Sequence, residues 1–165
     1  MASTMHLETR SPEQMRFRVK LFHLWHLFRR PMTLGVRGVV LDEERQEVFL
    51  VRHTYVNGWH LPGGGVEPGE TMLSALAREL WEEGNIVLAG TPKLKSIHFN
   101  CGASRRDHVA VYLVTHFSQT APRTADLEIA DARFFPLDAL PAGTTGGTRR
   151  RLSEIFDGAE VAAEW

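Results

Sequence analysis

Residues 58–84 constrain this chain more than any other stretch. A glycine- and proline-rich loop from Gly58 to Gly69 runs directly into a segment that reads as a helix from about Thr71 to Gly84. Glu79, Glu82 and Glu83 fall at i, i+3 and i+4 near its end, so all three project from one side. Like charges at that spacing cost a helix about 0.2–0.5 kcal/mol per pair. They also sit beside the negative end of the helix dipole, where an acid is disfavoured by about 0.3–1 kcal/mol. Residues 64–86 hold five carboxylates and one base, Arg78, a net charge of -4 in a chain whose total is -1. One reading is a solvated acidic face. The other is a divalent cation that shares those oxygens, and hard carboxylate oxygens suit Mg²⁺ or Mn²⁺ rather than Zn²⁺. The preceding Leu61-Pro62-Gly63-Gly64-Gly65 lets backbone approach a ligand closely.

The rest of the chain is ordinary enough to exclude several classes. Its 165 residues, 43% hydrophobic and 24% charged, fit one globular domain with a core of its own. The single cysteine, Cys101, cannot form an internal disulfide. No run approaches the roughly 20 apolar residues of a membrane span, and the expected location is cytoplasmic. Near-neutral charge gives no general reason to bind nucleic acid or an anionic membrane, so neither is expected as a partner.

Residues 1–31 read as an N-terminal extension with an amphipathic helix. Ser11-Pro12 would open it, Phe17, Leu21, Leu24, Trp25 and Phe28 form its apolar stripe, and Pro31 stops it. Such a helix would dock on the domain or on a second copy, giving a homodimer. From Thr33 the pattern turns strand-like. Thr33–Leu41 and Val48–Arg52 flank a polar turn and predict a hairpin. Further strands are expected at 86–88, 93–99, 109–117 and 132–135. Thr148 would cap a last helix with Leu152, Ile155 and Phe156 facing inward, and Arg149-Arg150-Arg151 would be a solvated face.

Gly64, Glu70, Arg78, Glu79, Glu82, Glu83 and Ile86 together resemble the Nudix box, G-x5-E-x7-R-E-U-x-E-E-x-G-U with U aliphatic. The one departure is Asn85 at the last glycine. Asn tolerates the left-handed conformation that ends a helix, so the turn is expected to survive. The resemblance implies a Nudix hydrolase over residues 32–160. The expected fold is α/β, an α/β/α sandwich with a mixed β-sheet, and the N-terminal helix is additional to it. The implied activity is metal-dependent hydrolysis of a pyrophosphate bond in a nucleoside diphosphate derivative. Nucleoside triphosphates, ADP-ribose, nucleotide sugars and dinucleoside polyphosphates all suit it. The alternative is a catalytically silent Nudix-fold module that senses a nucleotide.

By the same resemblance, Glu79, Glu82 and Glu83 bind Mg²⁺ (or Mn²⁺), with the Gly63 carbonyl as a further ligand. Gly64, Glu70 and Arg78 hold the motif together, Arg78 pairing with Glu70. Glu128, ahead of the Phe134-Phe135 strand, is a candidate base or cation ligand, or else an exposed loop acid. Arg105 and Arg106 form a basic turn suited to an anionic substrate, or a solvated hairpin tip. Trp59 and Tyr55 could stack on a base or serve as core and rim aromatics.

Overall fold

The computed structural model describes residues 31–165. The expected N-terminal helix, and the dimer contact assigned to it, lie outside the described residues. Strands β1 (Thr33–Asp42) and β2 (Glu47–His53) form the hairpin, closed by a turn in which Asp42 accepts from the backbone N–H groups of Glu44 and Arg45. Helix α1 (Met72–Gly84) follows. Then come β3 (Ile86–Leu88), β4 (Lys93–Phe99), β5 (Asp107–Val114), β6 (Phe117–Gln119), β7 (Ile129–Pro136) and helix α2 (Gly146–Phe156).

Five strands make a mixed sheet in the order β4-β5-β1-β2-β7, parallel only between β1 and β5, and β3 pairs with β6 separately. Alternation along the strands sorts the core into two layers. Phe49 and Val51 of β2, with Ala110 and Tyr112 of β5, pack on Leu76 and Leu80 of α1. Leu50 and Val111 face the other way, toward Leu152 of α2. Burying each of those leucines is worth about 1.5–3 kcal/mol. This is the expected mixed sheet between helices.

The hairpin is joined at one end only. β1 and β2 pair at Leu41 with Val48 and at Asp42 with Glu47, then part. The glycine-rich loop fills the gap. On one side His60 exchanges two backbone hydrogen bonds with Val51. On the other, the Val36, Gly38 and Val66 N–H groups donate to the Gly64, Pro62 and Leu34 carbonyls. Backbone groups that separating strands would leave unpaired are thereby satisfied, and the loop is fixed in the split of the sheet.

Helix α1 is capped by Thr71 and Ser74 in a reciprocal capping box, and it ends on Asn85 at φ 52°, ψ 31°. The left-handed turn survives the loss of glycine. The Asn85 side chain also donates to the Ala121 carbonyl at 3.3 Å, which ties the helix end to the loop before β7.

Three expectations are corrected. The predicted strand at 109–117 is broken at Thr115-His116, so β5 and β6 belong to different sheets. Thr145, not Thr148, caps α2: its hydroxyl accepts from the Thr148 N–H, and Thr148 is buried in the first turn. Arg151 is not solvated but fully buried, paired with Glu154 beneath Trp165.

Candidate active site

An open cavity of about 690 Å³ lies beside the loop in the split and the end of α1. Its lining includes Glu79, Glu82 and Glu83 with Gly63 and Gly64, and around them Arg37, His53, Tyr55, Arg123 and Glu128. The structure therefore brings together the three helix acids, both glycines and Glu128, which comes from a different loop.

Arg78 organises the acids. Its Nε and Nη2 donate to the two oxygens of Glu70 at 2.9 and 3.1 Å, and Nη2 also donates to the Gly65 carbonyl at 3.1 Å. Its Nη1 donates to Glu79 Oε1 at 2.9 Å and to Glu82 Oε2 at 3.2 Å. A planar fork suits this bidentate arrangement in a way a lysine cannot. The Arg78 hydrogen bonds hold the Glu70 carboxyl down at about 2, with help from the nearby backbone N–H. The Glu70–Arg78 pair thus stabilises the fold fully above the ordinary carboxylate value of 4.5, and the contribution fades as pH falls toward 2. Glu70→Gln should therefore lower the melting temperature at pH 6 but show a shallower loss of stability between pH 4.5 and 2, measured by calorimetry. Parallel acid limbs would contradict the pairing.

Glu83 has a different environment. Its Oε2 accepts from the Gly63 N–H at 2.7 Å in a buried position, and its Oε1 lies 3.5 Å from His53 Nε2. Burial pushes its carboxyl up to about 7, against the pull of the Gly63 N–H and the Arg37 guanidinium. Burial also raises Glu79, opposed by Arg78. Burial lowers His53, with the Arg37 and His60 charges acting in the same sense.

Gly63 and Gly64 are there because nothing larger fits. Gly63 has φ +134°, and a Cβ on it would overlap the Val36 carbonyl oxygen. A Cβ on Gly64 would run into the Glu79 carboxylate, whose Cδ it would meet at 2.7 Å. The Gly63 carbonyl accepts from Arg37 Nη1, so one of its two lone pairs is already taken.

Among the described residues no three His, Cys, Asp or Glu side chains are already gathered as a cation cage. Arg78 holds one oxygen each of Glu79 and Glu82, while the Gly63 N–H holds one of Glu83. The second oxygens of Glu79 and Glu82 have no hydrogen-bond donor among the described residues. Hard carboxylate oxygens on a buried Glu83 and a half-buried Glu79, both disfavoured as bare anions, with those of Glu82 are a donor set that fits a small divalent cation.

Other sequence candidates lie elsewhere. Trp59 is buried on the α2 side of the sheet, edge-on to Phe135, with Arg52 and Arg133 over its ring; it does not line the cavity. Arg105 and Arg106 are exposed in the β4–β5 turn and do not line it either. Tyr55 does line it and is 73% exposed. The basic and imidazole side chains of the lining, Arg37, His53 and Arg123, had no place in the sequence reading. His53 continues the Phe49–Val51 face of β2 toward the acidic helix, and that alternation was the signal available for it.

A family model for the NUDIX domain matches residues 31–154. An RNA pyrophosphohydrolase of Ruthia magnifica subsp. Calyptogena magnifica is 40% identical over 62 residues, a match spanning 34% of this chain and only 35% of that protein. A Bacillus subtilis (strain 168) protein provisionally named 8-oxo-dGTP diphosphatase is 28% identical over 128 residues, 78% of this chain and 83% of its own. A crystal structure of a MutT NUDIX hydrolase from Burkholderia pseudomallei superposes with a TM-score of 0.64 at 26% identity, over 74% of this chain and 97% of that one. With the box residues assembled around one cavity and the family model matched over most of its length, the chain belongs to the NUDIX family.

Proposed function

We propose that this chain is a pyrophosphohydrolase that cleaves a P–O–P bond in a nucleoside diphosphate derivative with the help of Mg²⁺, Mn²⁺ serving in its place. The observation that carries the reading is a buried Glu83 beside a half-buried Glu79 on the lining of a polar cavity, where desolvation disfavours both as bare anions. NUDIX hydrolases generally use divalent cations. Glu79, Glu82 and Glu83 would hold the ion, which when bound offsets charge on the phosphoryl groups and makes water more acidic.

The chain's own groups divide the remaining tasks. Arg78 keeps Glu79 and Glu82 from moving independently, and the Gly63 N–H does the same for Glu83. Arg37 and Arg123 add positive charge to a cavity that a diphosphate would enter. Arg123 is itself held by the Glu82 carbonyl at 2.8 Å and by Asp126. Glu128 reaches the cavity from the loop before β7. Its backbone is fixed by a 2.8 Å bond to Asp126 Oδ1 and a 2.9 Å bond from the Thr54 N–H. In that position it can accept the proton of the attacking water. Stabilising developing charge and holding the reactants in line supply most of the rate in phosphoryl transfer.

The relatives' names join a pyrophosphohydrolase of RNA and a diphosphatase of a modified nucleoside triphosphate, and a nucleotide carrying a phosphoanhydride would serve both. The test is a panel of nucleoside triphosphates, 8-oxo-dGTP, ADP-ribose, nucleotide sugars, dinucleoside polyphosphates and 5′-triphosphorylated RNA. Each is incubated with Mg²⁺ or Mn²⁺ and its products are identified by chromatography and phosphorus NMR. At least one should yield a nucleoside monophosphate moiety, and none without the divalent ion. Calorimetric binding of a nucleotide with no product from any of them would instead favour the sensing module.

A further inference from the structure

We infer that His53 is a positioning residue that fixes the orientation of the Glu83 carboxylate from the side opposite the Gly63 N–H. The inference rests on the proposed cation-binding role of Glu83. His53 stands at the end of β2, where the register with β7 shifts between Arg52 and His53. The extra residue there, Ala130, belongs to β7, so His53 keeps its place on the Phe49–Val51 face of β2, beside the end of α1. Its side chain is 8% exposed, and its Nε2 lies 3.5 Å from Glu83 Oε1. That is longer than a settled N–H···O bond, and such contacts tighten when a site is loaded.

The other ring nitrogen decides the assignment. Nδ1 is buried with no partner among the described residues. A neutral imidazole carries one N–H, and placing it on Nε2 leaves Nδ1 as the bare acceptor. The opposite tautomer would bury an N–H against nothing and, once a cation has ionised Glu83, turn a lone pair toward its carboxylate oxygen. Tyr55 and His60, with ring centroids 5.2 and 5.9 Å away, flank the imidazole. A residue needed only for packing here would be apolar, because a leucine fills the space without an unpaired nitrogen. With Oε2 held by the Gly63 N–H and Oε1 faced by His53 Nε2, Glu83 presents its carboxylate in one orientation, as outer partners do for cation ligands generally.

The test uses His53→Leu, His53→Asn and His53→Gln, beside Glu83→Gln, in the full chain. Mn²⁺ affinity is read by electron paramagnetic resonance and folding by thermal melting. The amide nitrogen of Gln can reach the position of Nε2, whereas that of Asn stands at the position of Nδ1. The Leu and Asn variants should melt near the wild type yet bind Mn²⁺ about 10-fold or more weakly, with Gln recovering most of the loss. Wild-type affinity in Leu and Asn, equal weakening in all three, or unfolding of the Leu variant would each overturn the positioning role. Glu83→Gln that bound Mn²⁺ as the wild type does would instead remove the cation-site reading itself, and the inference with it.

Discussion

Glu83→Gln should leave a folded protein whose hydrolysis falls by about 10²–10³-fold or more. The amide keeps an oxygen for the Gly63 N–H but removes the charge that a divalent cation needs. Loss of activity with retained fold follows from the burial of this carboxyl. Its folded value, about 7, lies above the ordinary 4.5. The folded state therefore holds a proton that the unfolded state has released, and the cation-free protein loses stability as pH rises from 4.5 through 7. The difference amounts to about 3 kcal/mol by pH 8. Glu83→Gln should flatten that limb, and divalent cation should restore stability to the wild type but not to the variant. Melting curves across pH 5–8, with and without Mg²⁺, check this. A variant less stable than the wild type at pH 8 without cation would contradict it. Glu82, whose side chain is 55% exposed, should matter less to both properties.

Two adjacent glycines should fail in different ways. Gly63→Ala places a methyl group on the Val36 carbonyl and requires φ +134° of an alanine. The atoms it meets, of Val36 and Arg37, cannot yield, because all are backbone of β1. A loss of about 3 kcal/mol or more is expected, a fall of about 10 °C in melting temperature for a chain of this size. At Gly64 the obstacle is a side chain. Gly64→Ala should fold with nearly the wild-type melting temperature while it displaces the Glu79 carboxylate, with about 10²-fold loss of activity. Equal melting temperatures for the two variants would contradict the placement of the loop against β1. Full activity in Gly64→Ala would contradict the role of Glu79.

The contrast shows what the sequence makes legible and what it does not. The loop, the acidic helix and its left-handed end at Asn85 are local features, and local spacing announces them. So is the hairpin, whose alternation survives in β1 and β2. The parting of those strands is not local: it follows from β1 pairing with β5 and β2 with β7, and it is what brings Arg37 and His53 to the cavity. Trp59 fails as a base-stacking candidate for a related reason. It borders the loop in sequence, yet it is buried on the far face of the sheet. Arg151 looked solvated as one of three arginines, and only the return of the chain to Trp165 over α2 buries it. Thr145 and Thr148 offer the same hydroxyl at the same helix, so composition could not choose between them.

Crystals grown with Mn²⁺ and a non-hydrolysable nucleotide, analysed for anomalous scattering, test the account most directly. A manganese peak within coordination distance of Glu79 and Glu83 carboxylate oxygens, shared with phosphate oxygens of the nucleotide, is the result predicted. A nucleotide bound with its manganese away from these residues, and Arg78 and the Gly63 N–H still their only partners, would contradict it.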